Sequence, residues 1–85
     1  MKEFTYIIKD QAGFHARPVG AIVKVAKASN SNITISYGEK SADAKKLFEV
    51  MGLAVKQNEE IRVSILGDDE EKTAELMLNT LEMYA

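Results

Sequence analysis

Eighty-five residues, 46% hydrophobic and 28% charged, match one globular domain with a modest core, spanning residues 1–85. The chain has no cysteine, which excludes disulfides, thiol chemistry and thiolate metal sites, and one histidine argues against an imidazole-rich metal centre. A net charge of −2 argues against a nucleic-acid binder. No stretch approaches the roughly 18 apolar residues of a membrane helix, and "MKEFTYIIKD" lacks the apolar run of a signal peptide.

The first element is a strand. Phe4, Tyr6 and Ile8 alternate with Thr5, Ile7 and Lys9. Asp10, Gln11, Ala12 and Gly13 form a loop. From about Ala16, the residues Val19, Ile22, Val23 and Ala26 recur at helical spacing. That helix fades at Ser29 to Asn32, residues that compete for backbone hydrogen bonds. Ile33, Ile35 and Tyr37 give a second strand. A turn at Gly38 and Glu39 leaves room for a third near Lys40 to Asp43. A short helix is expected near Lys46 to Gly52. Ile61, Val63 and Ile65 form a fourth strand. "GDDEEK" starts the last helix, with an Asp N-cap and acids in the first turn. Ala74, Met77, Leu78, Leu81 and Tyr84 then make its apolar stripe. The order β-α-β-β-α-β-α predicts an α+β fold: an open-faced β-sandwich with a four-stranded antiparallel sheet covered on one face by three helices.

The single histidine stands at the start of the first helix, in "GFHARP" at 13–18. The first N–H groups of a helix lack internal partners and the dipole is positive there, so anions, phosphate above all, are favoured. Pro18 is tolerated in the first turn, though it biases Arg17 away from helical angles. Arg17 adds a permanent charge and a planar fork of donors suited to phosphate oxygens. A neutral imidazole is a nucleophile, and attack by His15 on phosphorus would give a phosphohistidine beside these donors. The plainer reading of a lone histidine at a helix cap is a cap or surface residue, and of Arg17 a solvated charge.

Arg17, Gly20, Lys24 and Lys27 fall at i, i+3, i+7 and i+10, one stripe opposite the apolar face. Gly20 inside a helix costs about 1 kcal/mol against alanine. Either a partner surface approaches closely there, or the glycine is simply tolerated. Lys45, Lys46, Leu47 and Phe48 open the second helix. Phe48 is expected to be exposed within a basic rim, as at a protein interface, and Leu47 to belong partly to the core. A small nucleic-acid-binding domain would need base-stacking aromatics among these lysines, and only Phe48 qualifies.

With these residues in view, the chain resembles the HPr family, the histidine-containing phosphocarriers of the bacterial sugar phosphotransferase system. The resemblance spans the whole chain and rests on its length, the element order, "GFHARP" and "KKLFEVMGL" at 45–53. It implies a cytoplasmic carrier that is not itself a turning-over enzyme and needs no cofactor or metal. His15 would accept a phosphoryl group from enzyme I, on Nδ1, and pass it to the A domains of sugar-specific enzymes II, with Arg17 assisting. Partners would dock near Gly20, Lys24, Lys27, Leu47, Phe48 and Met51. Nothing in the sequence requires more than a monomer or points to nucleic acid or membrane. Where Gram-positive members carry a kinase-regulated serine at the start of the second helix, this chain has Lys46. A purely regulatory relative that binds partners without carrying phosphate would have no need of His15 and Arg17.

Overall fold

The computed structural model describes residues 1–85. The elements in chain order are β1 (Lys2–Ile7), α1 (Ala16–Ala28), β2 (Asn32–Tyr37), β3 (Lys40–Asp43), α2 (Leu47–Met51), β4 (Glu60–Leu66) and α3 (Glu70–Tyr84). The expected order and fold class hold. The four strands form one antiparallel sheet, ordered β1-β4-β2-β3. β4 is central: Val63 stands opposite Phe4 on one side and Ile35 on the other.

The period of two decides which face is covered. Tyr6, Ile33, Ile35, Ile61, Val63 and Ile65 point to the helices and are buried. They meet Val19, Ile22, Val23 and Ala26 of α1, Val50 of α2, and Met77 and Leu81 of α3 in one core. Burying each larger aliphatic side chain contributes about 1.5–3 kcal/mol. Tyr6 takes its hydroxyl into this core and donates to the Leu81 carbonyl at 3.2 Å. The other face of the sheet is open: Thr5, Arg62, Thr34 and Ser41 are exposed.

Two expectations for α3 need correction. Leu78 is not on the buried stripe but 37% exposed, and Thr73 is buried instead. Thr73, Met77 and Leu81 lie on one line at i, i+4 and i+8, and Leu78 is a further 100° round the helix from Met77. A threonine fits the interior because its hydroxyl bonds Ser29 Oγ at 2.8 Å. Asp69 does occupy the N-cap position, but its side chain makes no cap bond. Its carboxylate instead reaches the end of α1, accepting from Ser29 Oγ at 3.0 Å, the Asn30 amide at 3.0 Å and Ser31 Oγ. The Ser31 hydroxyl above all, and then the Asn30 amide, hold its carboxyl down to about 2. The serines that end α1 are therefore ordered by α3. No buried side-chain polar atom is left without a partner.

Candidate functional site

The loop from β1 to α1 is held from several sides. Asn58 N–H donates to the Ile8 carbonyl at 2.7 Å, and Ile8 N–H to Glu59 at 2.9 Å. The amides of Lys9 and Asp10 both donate to the Ala85 carbonyl, at 2.7 and 2.9 Å. Phe14 is buried and its N–H donates to the Val55 carbonyl at 2.9 Å. Gly13 sits at φ +74°, and a Cβ there would stand 2.6 Å from that same carbonyl oxygen. Only glycine satisfies both the backbone angle and the close approach. The loop closes on itself through Asp10, whose carbonyl accepts from Gly13 N–H at 2.9 Å and whose Oδ1 accepts from Ala12 N–H at 2.8 Å.

His15 follows as the N-cap of α1, in extended conformation, and its carbonyl accepts the first intrahelical bond, from Val19, at 3.0 Å. Its ring does not cap the helix. It turns back to the loop, with Nε2 3.4 Å from Asp10 Oδ2, and is 37% exposed. The Ala16 and Arg17 amides have no backbone partner, so the helix end keeps free donors. Pro18 does not delay the helix. It lies in the first turn, where its ring meets no carbonyl of a preceding helical turn, and Arg17 is already helical. Asp10 has its carboxyl held below the usual range, first by the Ala12 amide, then by His15, with Arg17 adding to the effect. Arg17 is exposed, its guanidinium carbon 5.7 Å from the centre of the Tyr84 ring, within cation–π range.

The proposed partner surface lies further along α1. Gly20, Val23, Lys24, Lys27 and Leu47 line one shallow concavity between α1 and α2. A Cβ at Gly20 would meet nothing within 4 Å, so the fold itself does not demand this glycine. Phe48 is 83% exposed, and Leu47 and Met51 pack against the core from its rim. Lys46 occupies the N-cap of α2 and pairs with Glu49 at 3.6 Å. Lys45 turns away, donating to the Ser29 carbonyl at 3.1 Å, and is not part of an open basic rim.

Sequence reasoning overlooked two neighbours of the site. Asp10 reads as loop, although an aspartate two residues before a free amide is the signature of an Asx turn. Tyr84 reads as core, and its contact with Arg17 joins residues 67 positions apart in sequence, which no local pattern reports.

This fold, with its single histidine at the start of α1, points to one class of small carrier protein. The family model described as the PTS HPr component phosphorylation site matches residues 2–83. The chain is 36% identical to the phosphocarrier protein HPr of Mycoplasma capricolum over 81 residues, covering 95% of this chain and 91% of that one. It is 42% identical over 73 residues to HPr of Haemophilus influenzae, covering 82% and 86%. The solved structure of a Mycoplasma histidine-containing phosphocarrier protein matches with a TM-score of 0.92 at 35% identity, covering 94% and 91%. The chain belongs to the HPr family of phosphocarriers of the phosphotransferase system.

Proposed function

We propose that this chain carries a phosphoryl group from enzyme I to the A domains of sugar-specific enzymes II, with His15 as the covalent acceptor and donor. The single observation that supports this most is His15 itself. A half-exposed imidazole stands at a helix N-terminus, 3.4 Å from a carboxylate and two residues before an arginine. In the first transfer the imidazole lone pair forms the N–P bond as the donor's bond to phosphorus breaks, and the donor's leaving group keeps the electron pair of that broken bond; in the second the N–P bond breaks, its pair returns to the imidazole and the nucleophile of the enzyme II A domain bonds to phosphorus. The new phosphoryl oxygens then meet the free amides of the helix start and the Arg17 fork. Arg17 lies two residues beyond the N-cap and would leave Tyr84 to reach the phosphoryl group.

Docking is proposed over α1 and α2. Gly20, Lys24, Lys27 and Leu47 supply an open concavity, and Phe48 and Met51 an apolar contact beside it. The lysines favour a partner with an acidic face. The carrier is proposed to act as a monomer in the cytoplasm, without cofactor or metal. Serine-kinase control at the start of α2 is not part of this proposal, because Lys46 occupies that place.

The test is incubation with phosphoenolpyruvate and a bacterial enzyme I, reading intact mass before and after mild acid. An acid-labile gain of one phosphoryl group, absent in His15→Ala, is the expected result. Folded protein that gains no mass with several enzymes I overturns the carrier reading and moves the weight to a regulatory relative.

A further inference from the structure

We propose that Asp10 is a positioning residue for phosphoryl transfer: its carboxylate holds the His15 ring proton on Nε2 and so reserves the Nδ1 lone pair for phosphorus. This deepens the carrier proposal and rests on it.

The argument begins in the loop. Asp10 is fixed at both ends of its short side chain's reach. Its own amide donates to Ala85, its carbonyl accepts from Gly13, and Oδ1 is spent on the Ala12 amide. The remaining oxygen, Oδ2, faces His15 Nε2 at 3.4 Å. A carboxylate at neutral pH only accepts hydrogen bonds, so the nitrogen facing it is the one bearing the proton. In a neutral imidazole the other nitrogen, Nδ1, then holds the lone pair.

The same placement serves the transfer step. When Nδ1 bonds to phosphorus, the proton stays on Nε2 and the ring becomes formally cationic. The donor's leaving group departs with the electron pair of the broken bond. No proton must leave during the step, and the positive charge that develops on the ring faces Asp10. A fixed carboxylate beside an emerging cation favours the transition state over the ground state, in which the ring is neutral. Asp10 touches neither donor nor phosphorus and acts only through His15. The pair is more than a third exposed, so its influence is smaller than that of a buried carboxylate–histidine pair.

Asp10→Asn is the sharpest variant, because the amide oxygen can still accept from Ala12 and keep the turn while the charge is lost. With one histidine in the chain, imidazole ¹⁵N spectra contain a single ring. Above neutrality the parent should show Nε2 protonated and Nδ1 with a free lone pair, more strongly biased than in an unstructured histidine peptide. Asp10→Asn should shift both nitrogens toward the peptide's mixture and slow phosphoryl acceptance about three- to tenfold. Asp10→Glu should restore part of the bias. Gln11→Ala, in the same loop, should change neither reading. A parent ring no more biased than the peptide, or an Asp10→Asn ring and rate that match the parent, overturns the proposal. The tautomer is read on unphosphorylated protein. A biased ring on a chain that accepts no phosphate would therefore sink the carrier reading and not the Asp10–His15 coupling.

Discussion

Two glycines seven residues apart should respond to alanine with opposite signs. At Gly13 the backbone is left-handed, φ +74°, and the added Cβ would stand 2.6 Å from the Val55 carbonyl oxygen. Left-handed backbone costs an L-residue about 1–2 kcal/mol. The overlap must be relieved by moving backbone, an overpacking penalty of about 1–3 kcal/mol, and the bond from Phe14 N–H to Val55 is strained with it. The stiffer unfolded chain returns about 0.4–1 kcal/mol. The net expectation is a loss of about 2–4 kcal/mol, which lowers Tm by roughly 10–30 °C in a domain of this size. At Gly20 the backbone is helical and the new methyl meets nothing within 4 Å. Helix propensity then gives a gain of about 0.5–1 kcal/mol. Urea unfolding of both variants, with phosphoryl acceptance assayed alongside, reads the pair. A Gly13→Ala protein within about 0.5 kcal/mol of the parent would refute the claim that the loop before His15 is fixed by its approach to Val55. A destabilised Gly20→Ala would mean that α1 needs this glycine for its own packing.

Asp69→Asn should remove part of the acid limb of stability. The carboxyl is held down to about 2 from an ordinary 3.8, so its contribution is full above that ordinary value and is lost as pH falls through the folded one. A shallower decline below pH 4 in thermal melts of the variant is expected, and unchanged pH dependence would show that Ser29, Asn30 and Ser31 do not depend on the charge. Met77→Ala removes a fully buried side chain and should cost about 2–5 kcal/mol by denaturant titration. Phe48→Ala, at a residue 83% exposed, should leave stability within about 0.5 kcal/mol and raise the KM for transfer from enzyme I. A marked loss of stability would place Phe48 in the core instead. Arg17→Ala should slow transfer and shorten the lifetime of the phosphorylated form. Unchanged values for both would leave Arg17 a surface charge.

The sequence was most informative where one periodicity dominated. The alternation in 4–8, 33–37 and 61–65 and the helical spacing of Val19, Ile22, Val23 and Ala26 are read directly as covered faces, because burial is repeated at a fixed angle. "GFHARP" locates the histidine at a helix start for a similar reason: capping and proline rules are local. The misreadings share a different cause. The apolar pattern groups Leu78 with Ala74, Met77, Leu81 and Tyr84, whereas a threonine satisfied by Ser29 holds the buried line. Capping rules expect an Asp in "GDDEEK" to serve its own helix because N-caps are local, whereas the leading donors to Asp69 are Ser31 and the Asn30 amide, nearly forty residues earlier. Asp10 and Tyr84 escaped notice because their partners, His15 and Arg17, are chosen by loop closure and by the docking of α3.

What distinguishes this site from an enzyme pocket is how it combines order with exposure. In the proposed transfer His15 enters the active sites of unlike partners, so it cannot be buried or walled in, yet a freely rotating imidazole forfeits much of the rate that orientation supplies. Here the order comes from the backbone beneath the ring. Residues 8–14 are tied to 55–59 and to Ala85 by main-chain bonds, and Phe14 plugs the loop into the core one residue before His15. The side chain itself is restrained only at Nε2, by a carboxylate on that same tethered loop. Such an arrangement leaves Nδ1 without a hydrogen-bond partner, and it ties the orientation of His15 to the stability of a loop that has few buried side chains of its own. Loosening the loop at Gly13 or at Asp10 should therefore impair transfer by different routes: the first by letting the whole turn move, the second by freeing only the ring. Measured together, Gly13→Ala should disturb amide shifts throughout residues 8–14 and 53–59, while Asp10→Asn should leave those shifts in place and alter the imidazole alone.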